Sequence, residues 1–354
     1  MANTVLMKGN EALAEAAIQA GCRFYFGYPI TPQTEIGAYL AKRMPEVGGV
    51  FLQAESEIAA IHMLYGASCA GKRAMTSSSS PGISLKSEGL SYLAGSDLPA
   101  FVVNVQRAGP GLGGIQPAQA DYFQATRGGG HGDFRNIVLA PASVQEMASL
   151  TIHGFDLADR YNMTAMILAD GTIGQMMEQV KLESAKPTSY EKPWALTGTG
   201  NERDKRVITS LYLAPEELEQ KNVSRFARYA RVQREEAMVE TYCMEDAEIC
   251  LVAYGIAARV SKNAVAAARA NGIRAGLIRP ITLWPFPNEA LANAAKQARH
   301  FLSVELSMGQ MIQDIELAIR CARPVSLVSR VGGMIPAPEQ VLAAIERVAK
   351  GEAV

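Results

Sequence analysis

Between Gly9 and about Gly171 the sequence switches repeatedly between short, nearly unbroken apolar runs and longer helical stretches. That alternation restricts the chain to a parallel sheet wrapped by helices. The apolar runs lie at 23–27, 49–53, 73–78, 100–106, 136–140 and 164–170, and helical patterns begin near Asn10, Pro32, Glu55, Pro81, Pro117 and Ser143. A strand covered by helices on both faces has no solvent side, so its residues need not alternate in polarity. Each run is therefore expected to be a covered strand.

The texture changes between about residues 172 and 240. KPTSYEKPWALTGTGNERDK is polar, carries two prolines and lacks periodicity, which reads as an extended connector. The following EELEQKNVSRFARYARVQREEAMVE is a charged helix that can lie across the first domain or meet a partner. A second alternating block opens with AEICLVAYG at 247–255, continues through IRAGLIRPITLWPFP and HFLSVELSMG, and ends in a helix near Pro336. The expected class is α/β, with a parallel-sheet αβα domain at 1–180, a connector at 181–240 and a second αβα domain at 241–354. A length of 354 residues accommodates this, since domains usually run to roughly 100–200 residues.

Charge and cysteine usage narrow the function. A formal net charge of -1 provides no basic field for a nucleic-acid backbone. The N-terminus lacks a basic start followed by an apolar run, and no stretch of about 18 apolar residues occurs, so a cytoplasmic protein off the membrane is expected. The five cysteines (Cys22, Cys69, Cys243, Cys250 and Cys321) are scattered without a C-x-x-C pair. They signal neither a disulfide framework nor an iron-sulfur cage, and read as small buried hydrophobes.

Four motifs can carry chemistry. Gly109-Pro110-Gly111-Leu112-Gly113-Gly114 satisfies G-x-G-x-x-G, but it does not open a helix and no acid follows at the spacing a dinucleotide site needs. It reads as a loop carrying Arg107 to a ligand, or as a plain turn. In Thr76-Ser77-Ser78-Ser79-Ser80-Pro81-Gly82, one serine can cap a helix and the others can meet an anion. In Gly27-Tyr28-Pro29-Ile30-Thr31-Pro32, Thr31 can cap the helix that Pro32 begins. It also sits where parallel sheets usually bind ligands. In Gln53-Ala54-Glu55-Ser56-Glu57-Ile58 a helix dipole explains Glu55. Glu57, followed by apolar residues, is expected to be partly desolvated and to require a strong partner.

These residues carry a family resemblance. GYPITPQTEI, FLQAESEIAAIHMLYGASCAGKRAMTSSSSPGISL and VVNVQRAGPGLG resemble the α subunit of 2-oxoacid:ferredoxin oxidoreductases. MKGNEALAEAAIQAG and GGIQPAQADYFQATRGGGHGDFR are closest to the branched-chain, 2-oxoisovalerate type. The resemblance covers nearly the whole chain. It implies a thiamine-enzyme pyrimidine-type domain followed by a transketolase C-terminal-like domain, with thiamine diphosphate shared between two chains. The diphosphate, Mg2+ and iron-sulfur clusters would belong to a β subunit, accompanied by γ and ferredoxin-like δ subunits. A small 2-oxoacid and coenzyme A would be the substrates, and ferredoxin the electron acceptor. The diphosphate signature GDG…NN is absent here, since Asp170-Gly171 follows an alanine.

By the same resemblance, Glu57 is the carboxylate that bonds the pyrimidine ring nitrogen, and Arg107 receives the substrate carboxylate, a task for a planar bidentate donor. Thr31 places a hydroxyl near the substrate, while Tyr28 and Ile30 line the same wall. A 2-oxoglutarate enzyme would need a further cation, for which Lys86, Arg127 and Arg135 are candidates. A catalytically silent scaffold subunit and a nicotinamide-dependent enzyme are the other readings. His62, His131, His153 and His300 receive no role, His131 in GGGHGDF being the one most worth mutating.

Overall fold

The computed structural model describes residues 4–182 and 187–353. Its strands are β1 (Thr4–Lys8), β2 (Phe24–Gly27), β3 (Val50–Gln53), β4 (Ala74–Ser78), β5 (Ala100–Gln106), β6 (Ile137–Leu139), β7 (Thr164–Asp170), β8 (Met177–Lys181), β9 (Val239–Tyr242), β10 (Ile249–Val252), β11 (Ala275–Pro280), β12 (Thr282–Trp284), β13 (His300–Glu305) and β14 (Val325–Ser329). A seven-stranded sheet runs β12-β6-β7-β5-β4-β2-β3, and a five-stranded sheet runs β14-β13-β10-β11-β9. Both are parallel apart from one antiparallel edge strand each, β12 on β6 and β9 on β11. The α/β class with two parallel sheets is thus observed.

The apolar runs become strands where expected, but their burial is uneven. β4, β5, β6 and β7 are buried at every residue. β3 is not covered. It forms the edge of the large sheet with Val50 and Leu52 exposed, because nothing described pairs beyond it. β12 follows β11 directly in sequence yet pairs with β6, so the second half of the chain contributes a strand to the first sheet. A two-stranded ribbon of β1 and β8, unforeseen in the sequence, ties the N-terminus to the end of the first domain.

Helix starts follow local chemistry. Ser56 caps helix Glu57–Cys69 by accepting from Ala59 N at 3.1 Å, and Ser143 caps Val144–Tyr161 by accepting from Glu146 N. Two starts differ from expectation. Thr31 caps nothing, since the next helix is Thr34–Glu46 with Gln33 at its N-cap. No helix begins at Pro117. Gln119 N instead donates to Leu306 O, and Asp121 N donates to Gln106 Oε1, so the backbone is committed to other strands until the short helix Tyr122–Thr126.

The two sheets share one core. Along β10, Cys250 and Val252 face the large cluster that includes β5, β7 and Trp284, while Ile249 and Leu251 face helices Gly255–Ala270 and Pro338–Lys350. Buried polar bonds fasten the seam. Asp170 caps helix Gly171–Gln175 and also accepts from Ile256 N at 2.8 Å. Gln119 donates to Tyr254 O and accepts from Leu306 N. No described helix is long and apolar enough to cross a membrane.

Candidate active site

Because β2, β3, β4 and β5 are parallel neighbours, the segments that leave their carboxyl ends gather along one sheet edge. These segments carry Tyr28 to Thr31, Glu57, Ser79 with Ser80, and Arg107 respectively. The topology therefore brings together motifs that lie as far as 76 residues apart.

Glu57 is the first residue of its helix and only 6% exposed. A Cβ on Gly82 would fall 2.6 Å from Glu57 Oε1 and 2.1 Å from Ser78 Oγ, so Pro81-Gly82 passes this close only because Gly82 has no side chain. Among the described residues no group donates a hydrogen bond to the Glu57 carboxylate. The Ser78 hydroxyl beside it, and that of Ser79 next along the chain, are buried and unpartnered. Buried polar groups are seldom left so, and this cluster is consistent with a polar ligand laid against it.

Lys86 lies beneath this acid with no exposed surface. Its Nζ donates to Glu57 O at 3.3 Å and to Thr76 Oγ1 at 3.1 Å. Burial pushes the ammonium down to about 8, against the pull of the Glu57 charge. Sequence reasoning offered Lys86 as a cation for a distal carboxylate. The structure places it under Glu57 and off the wall of the large cavity.

Arg107 is buried at the end of β5. Nη1 donates to Thr31 O at 3.0 Å, Nη2 donates to Leu112 O at 3.2 Å, and Nε is buried without a partner. Of the five donors a guanidinium carries, about three remain free. The glycine loop expected to carry Arg107 folds back on itself: Gly114 N and Ala108 N donate to Ala108 O and Gln116 O respectively, and Arg107 bridges to Pro117. Thr31 is exposed, and among the described residues its hydroxyl has no partner. Arg107 thus joins Thr31 through the threonine's main chain and leaves the hydroxyl available.

The serine run divides its work. Ser77 Oγ donates to Gln33 Oε1 and bonds the Tyr25 hydroxyl. Ser80 precedes helix Pro81–Ser84 but does not cap it. Its Oγ accepts from Arg107 N and donates to Asp121 Oδ2 at 2.6 Å. Asp121, missed in the sequence, also accepts from Asn104 Nδ2, and burial raises its carboxyl above the ordinary range. Its position in QPAQADYF gave no periodic signal, because its partners lie on β5 and in the turn that follows β4.

A cavity of about 670 Å³ opens between the two sheets at this edge. Among the described residues Arg107 is the one cation lining it and Asp121 the one acid; Pro81, Ala108, Leu306, Met308 and Val331 give it an aliphatic wall. Tyr28 lines a separate, smaller hollow of about 230 Å³ beside β3, with Phe51 and Gln53. Ile30 is half-buried and lines neither. The structure therefore brings Arg107 next to Thr31 and Glu57 next to the serines, and sets Tyr28 and Ile30 apart from the large cavity. His131 is exposed beside the long helix Pro215–Glu235, in another hollow.

The donors fit half of a thiamine diphosphate. A buried carboxylate with unpartnered hydroxyls suits an aminopyrimidine ring.

Known proteins resemble this chain over nearly its whole length. The family model for pyruvate flavodoxin/ferredoxin oxidoreductase, thiamine diphosphate binding, matches residues 15–241, and that for pyruvate:ferredoxin oxidoreductase core domain II matches 247–341. The chain belongs to the pyruvate flavodoxin/ferredoxin oxidoreductase family. Within it, the chain stands with the branched-chain 2-oxoacid:ferredoxin oxidoreductases. It is 52% identical over 347 residues to the ketoisovalerate oxidoreductase subunit VorB of Methanothermobacter marburgensis, covering 98% of each chain. To the 2-oxoglutarate synthase subunit KorA of Archaeoglobus fulgidus it is 38% identical, covering 96% of this chain and 98% of that one. The 2-oxoglutarate:ferredoxin oxidoreductase of Magnetococcus marinus, solved with 2-oxoglutarate, coenzyme A and succinyl-CoA bound, superposes with a TM-score of 0.86 at 28% identity. That match spans 98% of this chain and 65% of that longer one. An inactive split-gene transketolase β4 tetramer, at 14% identity and a TM-score of 0.59, shares the fold alone.

Proposed function

We propose that this chain supplies the pyrimidine side of a thiamine diphosphate site in a multi-subunit oxidoreductase. The complex would convert a branched-chain 2-oxoacid and coenzyme A to acyl-CoA and carbon dioxide, with ferredoxin taking the electrons. The observation that carries this reading is Glu57, a buried carboxylate without a protein donor, standing at the carboxyl edge of a parallel sheet. Thiamine diphosphate, when bound, supplies a nucleophilic carbon and accommodates the electron pair released on decarboxylation.

The residues of this chain have four tasks. Glu57 holds a proton in common with the pyrimidine ring nitrogen, a task for which a desolvated carboxylate is suited. Arg107 binds the substrate carboxylate through the donors that Thr31 and Leu112 leave free. Thr31 offers its hydroxyl to the same group. The aliphatic wall of the large cavity excludes water and accepts a branched side chain.

The exposed apolar edge at β3 supports a partner chain on that side. A β subunit there would bring Mg2+, the diphosphate site and the iron-sulfur clusters, with γ and ferredoxin-like δ subunits completing the complex and the cytoplasm as its compartment. Cys22 and Cys250 are unsuited to cluster ligation, since both are buried and burial pushes their thiols up, Cys22 to about 12.

The reading as a 2-oxoglutarate enzyme has less support. Its substrate needs a second cation, and among the described residues Arg107 is alone on the cavity wall. Arg127 forms a two-point pair with Asp314, Arg135 donates to Phe134 O, and Lys86 is sealed under Glu57.

Purification of the native complex should yield brown material containing a different, cluster-binding chain. Reduction of a low-potential dye in the presence of coenzyme A, tested over pyruvate, 2-oxoglutarate, 2-oxoisovalerate and aromatic 2-oxoacids, is expected to give the highest kcat/KM with 2-oxoisovalerate. A higher value for 2-oxoglutarate would replace the branched-chain reading, and no turnover with any substrate would favour a silent scaffold.

A further inference from the structure

A fully buried lysine is uncommon unless an ion pair accompanies it, and Lys86 forms none among the described residues. Its two partners are a main-chain oxygen, that of Glu57, and the Thr76 hydroxyl on β4. Few titratable groups stand near it. Glu57 is the buried acid on the facing helix; Glu55, ahead of that helix, and Glu88, on the following one, are exposed. His62 bonds Ile58 O, and Tyr92 bonds Glu88. Holding an ammonium here with only neutral hydrogen-bond partners costs stability, so its retention calls for a use.

We infer that Lys86 is a positioning residue for Glu57: its ammonium fixes the first turn of helix Glu57–Cys69 and sets a positive charge beside the Glu57 carboxylate. This rests on the proposed role of Glu57. The geometry gives both parts. The 3.3 Å bond to Glu57 O holds the residue from its main chain, and Thr76 Oγ1 fixes the ammonium on the neighbouring strand. Gly82 and Ser78 close the other side of the carboxylate. Among the described residues no group donates to the carboxylate oxygens, and the Lys86 ammonium is a charge that bears on them.

The test compares Lys86→Met, which keeps length and removes charge, with Lys86→Arg and Thr76→Val in the assembled complex. Two quantities are measured: the acid limb of the kcat/KM profile, and the carboxylate infrared band that disappears in Glu57→Gln, followed against pH without thiamine diphosphate. In Lys86→Met both midpoints should move up by about one pH unit, a tenfold rise in proton affinity. Lys86→Arg should recover part of the shift, and Thr76→Val should show a smaller shift in the same direction. Unmoved midpoints in an assembled Lys86→Met complex would overturn the inference. Should neither Lys86 variant assemble, Thr76→Val decides in the same way. An infrared shift together with full turnover in Glu57→Gln would leave Lys86 its role as countercharge and remove the catalytic reading of Glu57, so the two ideas fail separately.

Discussion

Two buried glutamates, one in the scaffold and one at the proposed site, are held in different ways. Glu305, at the end of β13, is 1% exposed and accepts from Ser303 Oγ, Ser307 Oγ, Gln310 N, Met311 N and Ile312 N. Glu57 is nearly as buried, and its carboxylate accepts from no described donor. The first anion is fully satisfied by the turn it organises, which joins β13 to helix Met311–Ala318. The second has its helix fixed by Ser56 and Lys86, while its carboxylate is left without partners. Burial alone does not distinguish a structural acid from a reactive one; the number of protein donors does.

That contrast makes opposite forecasts for the same chemical change. Glu57→Gln keeps volume and shape and breaks no described bond to the carboxylate, so the complex should assemble, with a thermal midpoint lowered only by the lost Coulombic support of Lys86. Dye reduction should fall by about a thousandfold or more, equivalent to about 4 kcal/mol of barrier. Near-normal turnover in that variant would return Glu57 to the scaffold. Glu305→Gln should do the reverse. It replaces an acceptor-only group with one bearing an amide donor, among N–H and O–H groups that need acceptors, and should destabilise by about 3 kcal/mol. Thermal denaturation would show this, with kcat per folded complex much less affected. An unchanged midpoint would contradict the claim that Glu305 organises its turn.

Gly82 sharpens the comparison from the other side. An added methyl would meet Ser78 Oγ and Glu57 Oε1 well inside contact distance. Neither side chain has a described partner, but the longer Glu57 side chain turns about three bonds against one in serine and is the freer to give way. Gly82→Ala should therefore lower kcat about tenfold, near 1.4 kcal/mol of barrier, at little cost in thermal stability. A loss of stability with normal kcat would mean that the backbone had moved instead of the acid.

The sequence made the strands legible and the contacts between distant segments largely not. β5 and β7 coincide with runs 100–106 and 164–170, because a fully covered strand writes its burial continuously into the chain. β3 carries the same apolar texture although it is an exposed edge, and composition alone does not distinguish the two cases. The destination of β12 was equally hidden, since periodicity reports that a strand exists and not which sheet receives it. Glu57, Arg107 and Thr31 stood out because their motifs fall at strand ends. Asp121 and Gln119 did not, as their partners lie on other elements: Asn104 and Ser80 for the first, Tyr254 and Leu306 for the second. Lys86 was visible as a cation in an apolar stretch, but its place under Glu57 depends on how two helices and β4 meet.

The smallest expected effect separates the stability of this site from its use. Lys86 has its folded value lowered from 10.5 to about 8, chiefly by burial. For a base, a depressed folded value means that the charged form is disfavoured in the native state. Below about pH 8 both states carry the proton, and the native state bears the full cost of a buried ammonium. Between about 8 and 10.5 the unfolded chain keeps the proton that the native chain has released, so native stability rises with pH. From pH 8 to 9 the gain is about 1 kcal/mol. Tyrosines whose folded values are raised act above this window and in the opposite direction, and they are common to both proteins compared. The thermal midpoint of wild type minus that of Lys86→Met should therefore increase between pH 8 and 9 and hold steady between pH 6 and 7. A flat difference across both intervals would show that Lys86 is not the buried cation described here, and the contrast between Glu57 and Glu305 would then rest on hydrogen bonds alone.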